Sequence, residues 1–123
     1  MKFDVTYDAE LTNVPANATT PFVLAVNAPK APARGALIAL SVQSNADVTA
    51  GTITCNLKSG STVIGTAVLD TTNTTRKVSL YADEGRVVTP SDVLSIDAVA
   101  SSGLLPNGSA DLTAKAVVRY IGK

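Results

Sequence analysis

The chain has 123 residues, and ten Lys and Arg balance ten Asp and Glu, so its formal net charge is zero. Apolar residues make up 46%, aromatic rings only 4% and charged residues 16%, with no His, no Trp and one Cys. That length suits one domain burying about two-thirds of its unfolded surface, and the absences exclude Ser-His and Cys-His nucleophile pairs, imidazole acid–base chemistry and His- or multi-Cys zinc sites.

Apolar positions recur with a period of two, the signature of strands. Phe3, Val5 and Tyr7 alternate with Lys2, Asp4, Thr6 and Asp8 in a half-buried first strand. Leu11 to Thr20 follows as a turn-rich connection, so residues 1–20 read as an N-terminal arm or edge strand. Phe22, Leu24 and Val26 predict a second strand, which stops at segment 27–35, where Pro29 and Pro32 remove backbone donors and favour extended structure. A third strand spans Ala36 to Gln43, with Ile38, Leu40 and Val42 on one face and Leu37 and Ala39 on the other; it reads as central and covered on both sides. Ile53, Cys55 and Leu57 alternate with Thr52, Thr54 and Asn56, Lys58 to Ser61 turns, and Thr62 to Leu69 returns, which is the clearest hairpin. Gly65 inside the return strand predicts a bulge or a close backbone approach. Val78 and Leu80 mark a sixth strand, Leu94, Ile96 and Ala98 a seventh. In the last and longest strand, Leu112, Ala114, Ala116, Val118 and Tyr120 face in, while Asp111, Thr113, Lys115 and Arg119 face out.

No segment repeats at the helical i, i+3, i+4, i+7 spacing. About eight antiparallel strands over residues 1–123 predict an all-β, single-domain β-sandwich. The long connections at 11–20, 27–35 and 101–109 favour a jelly-roll or Greek-key arrangement over an up-and-down barrel. A core built from Val, Ala, Leu and Ile is either thin and closely packed or incomplete until a partner covers it, and the second is favoured for some faces.

Few residues are left to carry chemistry. Cys55 lies in an apolar run and reads as a small core residue. Glu10 and Glu84 are the only glutamates, and Glu84, between Asp83 and Gly85, sits at a loop tip rather than a cleft wall. Asp4, Asp8 and Glu10, or Asp92 with Asp97, could donate oxygens to a cation, but no calcium-loop motif accompanies them and no metal is expected. Asp92 reads instead as a turn former. Phosphate-binding glycine motifs are missing, so no cofactor is expected. The sequons at Asn17, Asn73 and Asn107 read as turn chemistry rather than sugar attachment, because no signal peptide precedes them. No long apolar span and no basic stripe occur, so neither a membrane nor a nucleic acid is an expected partner, and the chain is expected to be soluble and non-enzymatic. Of the tyrosines, only Tyr81 is at an outward phase, as a weak platform for a sugar. Two segments read as partner contacts. The strand carrying Phe3, Val5 and Tyr7 is either an ordinary edge or a site of β-augmentation on another chain. Segment 27–35, with Lys30 and Arg34, is either a solvated loop or an extended basic arm lying on an acidic surface.

The stretches Asp47 to Thr54, Leu57 to Thr66 and Val88 to Ile96, with their Ser-Gly hairpin and Thr-Pro-Ser-Asp strand entry, resemble small virion proteins of tailed phages, of the head decoration or cement class. The likeness covers about residues 36–121. It implies a protein made in the host cytoplasm that sits on the outside of the capsid, binds the major capsid protein and copies of itself, commonly as a trimer, and stabilises the shell. It also implies anchoring through extended segments, which fall on Lys2–Tyr7 and Asn27–Gly35. The alternative is a glycan- or receptor-binding module of a tail or fibre.

Overall fold

A computed structural model describes residues 2–26, 29–81 and 87–121. Its strands are β1 (Lys2–Leu11), β2 (Ala18–Pro21), β3 (Val23–Leu24), β4 (Arg34–Ser44), β5 (Ile53–Ser59), β6 (Thr62–Leu69), β7 (Arg76–Leu80), β8 (Val87–Val88), β9 (Leu94–Ala100) and β10 (Leu112–Ile121). One sheet has the order β3-β1-β10-β4-β7, with β8 also paired to β4, and the other has the order β2-β9-β5-β6. Every pairing is antiparallel, and the two sheets form an all-β sandwich. Among the described residues there is no helix, hence none long and apolar enough to cross a membrane. Among the described residues only β5 and β6 are joined as a hairpin between sheet neighbours; most other connections cross from one sheet to the other, which excludes an up-and-down meander.

The strands with clean alternation form as expected. In β10, Leu112, Ala114, Ala116, Val118 and Tyr120 are all buried, and in β9 so are Leu94, Ile96 and Ala98. The hairpin turns through Gly60-Ser61, with Gly60 at φ +63°, the positive first position that suits a two-residue turn led by glycine. The register then slips between Leu57 and Lys58, so that Ile64 is the extra residue of a bulge beside Gly65. A Cβ built on Gly65 would lie 2.2 Å from Cδ2 of Leu37. Both alternatives raised by that glycine, a bulge and a close approach, are present together.

Other expectations need correction. Of the predicted second strand only Val23–Leu24 (β3) is strand, and it is preceded by β2: the chain leaves β2 in one sheet and enters β3 in the other, pivoting on buried Phe22, whose N–H donates to Ile96 O at 2.8 Å. β2 itself lies inside the supposed connection 11–20, and β8 is a further short strand; these two raise the number from about eight to ten. In β4 a register shift opposite Val117/Val118 leaves Ile38 unpaired as a bulge, so Leu37 joins Leu40 and Val42 in the core instead of facing away from them. β4 is central, but its outer side is only half covered at Ile38, Ala39 and Ser41. In β7, Val78 and Leu80 point outward, Leu80 with 77% exposure, and Ser79 points in.

All five rings of the chain serve the core. Tyr7, Phe22 and Tyr120 are buried in it, and Phe3 and Tyr81 pack against it. Phe3 and Tyr120 stack with centroids 5.5 Å apart. The Tyr7 and Tyr120 hydroxyls hydrogen-bond to each other at 2.6 Å, which satisfies two polar tips that burial would otherwise leave costly. Burial, and after it that hydrogen bond, raises the Tyr120 pKa well above the ordinary tyrosine value.

Candidate functional site

Among the described residues no three His, Cys, Asp or Glu gather around a common point that could hold a metal ion. Of the carboxylates weighed as oxygen donors, Asp4, Asp8, Asp92 and Asp97 have other partners. Asp4 accepts two hydrogen bonds from Arg119, at 2.8 and 3.1 Å, which hold its pKa below the usual carboxylate value. Asp8 pairs with Lys115 at 3.9 Å and Asp97 with Lys58 at 2.8 Å. Asp92 closes a turn through its N–H to Thr89 O, and its carboxylate accepts the Ser59 hydroxyl at 3.1 Å. Burial lifts the Cys55 thiol to about 12, far from a reactive thiolate. Asp83 and Glu84 lie outside the described residues.

The edges of the sandwich are more informative. On one side the edge strands β6 and β7, one from each sheet, are stapled together. The Tyr81 hydroxyl accepts Thr66 N–H at 2.8 Å and donates to Thr66 O at 3.0 Å, and the Ser79 hydroxyl donates to the same carbonyl at 2.9 Å. Side chains from one sheet thus cap the outward backbone groups of the other, and Tyr81 is held there rather than offered as a free platform.

The opposite side is different. β3 covers only the far end of β1, pairing with Ala9 and Glu10, and Ala25 N–H donates to Asp8 O at 2.9 Å. Because strand groups alternate sides, that bond shows which residues face outward: Lys2, Asp4 and Thr6 direct their N–H and C=O away from β10. Among the described residues no strand pairs with them there. Phe3, Val5 and Tyr7 bond in the other direction and turn their side chains to the core, Tyr7 at 9% exposure. What β1 presents outward is therefore backbone together with the side chains of Lys2, Asp4, Thr6 and Asp8.

Segment 29–34 is not a detached arm. Leu94 N–H donates to Pro29 O at 2.8 Å, Ala31 N–H to Asp92 O at 2.9 Å, and Ser91 N–H to Ala31 O at 2.9 Å, with Lys30 bridged to Val93. Residues 27 and 28 lie outside the described residues. The structure separates the two cations: Lys30 is exposed beside Val93, whereas Arg34 opens β4 beside a groove. This open groove, about 450 Å³, is lined by Lys2, Arg34, Gly35, Ala36, Val87, Arg119 and Ile121. It lies on the outer face of the larger sheet, across two rows of the ladder: Lys2–Ile121–Arg34 and Asp4–Arg119–Ala36–Val87. Sequence reading singled out Arg34 but missed the groove, because no linear pattern signals that the starts of β1 and β4 flank the end of β10.

No family profile matches the chain, and no curated protein matches it. Among solved structures it is similar to a chain of the Cyanophage Pam1 capsid asymmetric unit, with TM-score 0.57 and 6% identity over 98% of this chain and 86% of that one. It is similar to PRD1 vertex protein P5, with TM-score 0.50 and 16% identity over 94% and 96%. It is also similar to FLHE, with TM-score 0.49 and 16% identity over 97% and 98%. At such identities, what this chain shares with the Pam1 and PRD1 proteins is a fold: an all-β sandwich that recurs in chains of unrelated sequence.

Proposed function

We propose that the chain is a non-enzymatic structural protein of a virion, a decoration or cement protein that binds the outside of a phage head, contacts the major capsid protein and copies of itself as a trimer, and stabilises the shell. The observation that carries this reading is the uncovered edge of β1. A row of outward N–H and C=O groups is a template for a strand from another chain. Repetition over a lattice makes even a weak contact of this kind effective. The likeness in fold to a capsid chain and a vertex protein supports the reading, as do the outward apolar residues Val78 and Leu80. A glycan-binding module would present an exposed ring, and all five rings here pack in or against the core.

The test is binding to procapsids and expanded heads of the cognate phage, by co-sedimentation and by the temperature at which heads rupture, together with mass in solution. The native chain is expected to sediment with heads, to raise the rupture temperature and to run as a trimer. Thr6→Pro removes an outward N–H and blocks strand addition without breaking the ladder to β10, so it should fold and bind heads at least tenfold more weakly. A strictly monomeric chain that ignores heads of either kind overturns the reading.

A further inference from the structure

The groove at the start of β1 carries an inference that rests on the reading above and names the chemistry of the partner. Among the described residues its lining holds three cations, Lys2, Arg34 and Arg119, and no carboxylate. Arg119 is engaged by Asp4 beside the groove, whereas Lys2 and Arg34 have no ion pair among the described residues. A chain with zero net charge therefore has, among the described residues, a local excess of positive charge here. The two cations flank Ile121 in one ladder row, which sets their backbones roughly 10 Å apart at the inter-strand spacing. Ile121, 56% exposed, and Val87, 40% exposed, give the groove apolar walls, and the small residues Gly35 and Ala36 leave room between them.

We infer that this groove binds an extended acidic segment of a partner protein, with carboxylates at alternate positions reaching Lys2 and Arg34 and an apolar side chain seated against Ile121 and Val87. Alternate residues of an extended chain lie about 7 Å apart on one face, a span that the long Lys and Arg side chains accommodate. Two uncompensated cations and an apolar wall fit a peptide better than a nucleic acid, which is held by many phosphate contacts.

The probe is a fluorescein-labelled Gly-Glu-Leu-Glu-Leu-Glu-Gly peptide, read by anisotropy and by amide shifts in NMR, with a Gln-for-Glu peptide and double-stranded DNA as comparisons. The acidic peptide is expected to shift Ala36, Val87 and Ile121, and the Gln peptide to bind at least tenfold more weakly. Lys2→Glu with Arg34→Glu should weaken acidic-peptide binding tenfold or more. Lys30→Glu, an exposed reversal outside the groove, should leave it unchanged. The inference is overturned by absent shifts, by undiminished binding to the double variant, by an equal effect of Lys30→Glu, or by DNA binding tighter than the peptide. A chain that binds heads but not the peptide refutes the groove alone; one that binds the peptide but no heads refutes the decoration role alone.

Discussion

The two sides of the sandwich handle the same problem, an exposed strand edge, in opposite ways. Where β6 meets β7, hydroxyls from one sheet cap the backbone of the other, and Gly65 lets Leu37 approach the bulge closely. Where β1 runs past the end of β3, Lys2, Asp4 and Thr6 keep their outward groups uncapped, with charged neighbours as the only guard against indiscriminate pairing. The side-chain inventory differs to match: tyrosine, serine and glycine close one edge, and lysine, aspartate and threonine line the other. Closure by side chains costs a ring and a close-packed glycine, whereas an edge left open requires only charge alternation.

The contrast is most sharply tested at Gly65. Gly65→Ala drives a methyl into Leu37, and overpacking of that kind should cost about 3 kcal/mol in denaturant unfolding; a change within experimental error would mean that the close approach is not part of the seal. Tyr81→Phe removes the hydroxyl that caps Thr66. It should cost about 1 kcal/mol and speed hydrogen exchange at the Thr66 amide, with exchange across β10 unaltered.

Acid should loosen both sides gently. Asp70, in the loop between β6 and β7, accepts N–H bonds from Asn73 at 2.8 Å and Thr72 at 2.9 Å, and its pKa is lowered from 3.8 by these bonds. Asp4, on the open side, is lowered by Arg119. For each, the folded value lies below the unfolded one, so their contribution is complete above the unfolded value and is lost as pH falls through the folded one. Thermal melts between pH 5 and pH 2, on the order of that window, should show a decline that Asp70→Asn makes shallower; an equal slope in the variant would remove Asp70 from the account. The smallest effect belongs to Thr6→Pro, whose lost N–H faces solvent: under about 1 kcal/mol in stability, against the much larger loss in head binding. A collapse of the fold in this variant would show that the edge is not open.

How much of this was legible in the sequence depended on whether an element's pattern was its own or was imposed by neighbours. β5, β9 and β10 alternate cleanly because each has one buried face, and Gly65 announced its own bulge. β2 and β8 are too short to carry a period; they exist because β9 and β4 offer them ladder partners. The bulge at Ile38 inverts the phase of Leu37, and no rule of alternation survives an inserted residue. Val78 and Leu80 do mark a strand, but on its outward face: β7 is a short edge strand, and its inward position is Ser79, which caps Thr66. Of the candidate contact positions, the side chains of Phe3, Val5 and Tyr7 lie inward and those of Lys30 and Arg34 outward. The groove uniting Arg34 with Lys2 is a product of β1, β4 and β10 lying side by side, which is tertiary information.

The partnership of β1 with β10 also has a kinetic side. Tyr7 and Tyr120, 113 positions apart, share a buried hydrogen bond at the heart of the larger sheet, and all ten residues of β1 are in register with β10, against two with β3. Local hairpins such as β5–β6 can form within microseconds, but joining β1 to β10 must await closure of nearly the longest loop the chain can make. Folding dominated by such distant pairings runs in milliseconds to seconds. During synthesis on the ribosome, β1 therefore remains without its β10 partner until residues 112–121 have emerged.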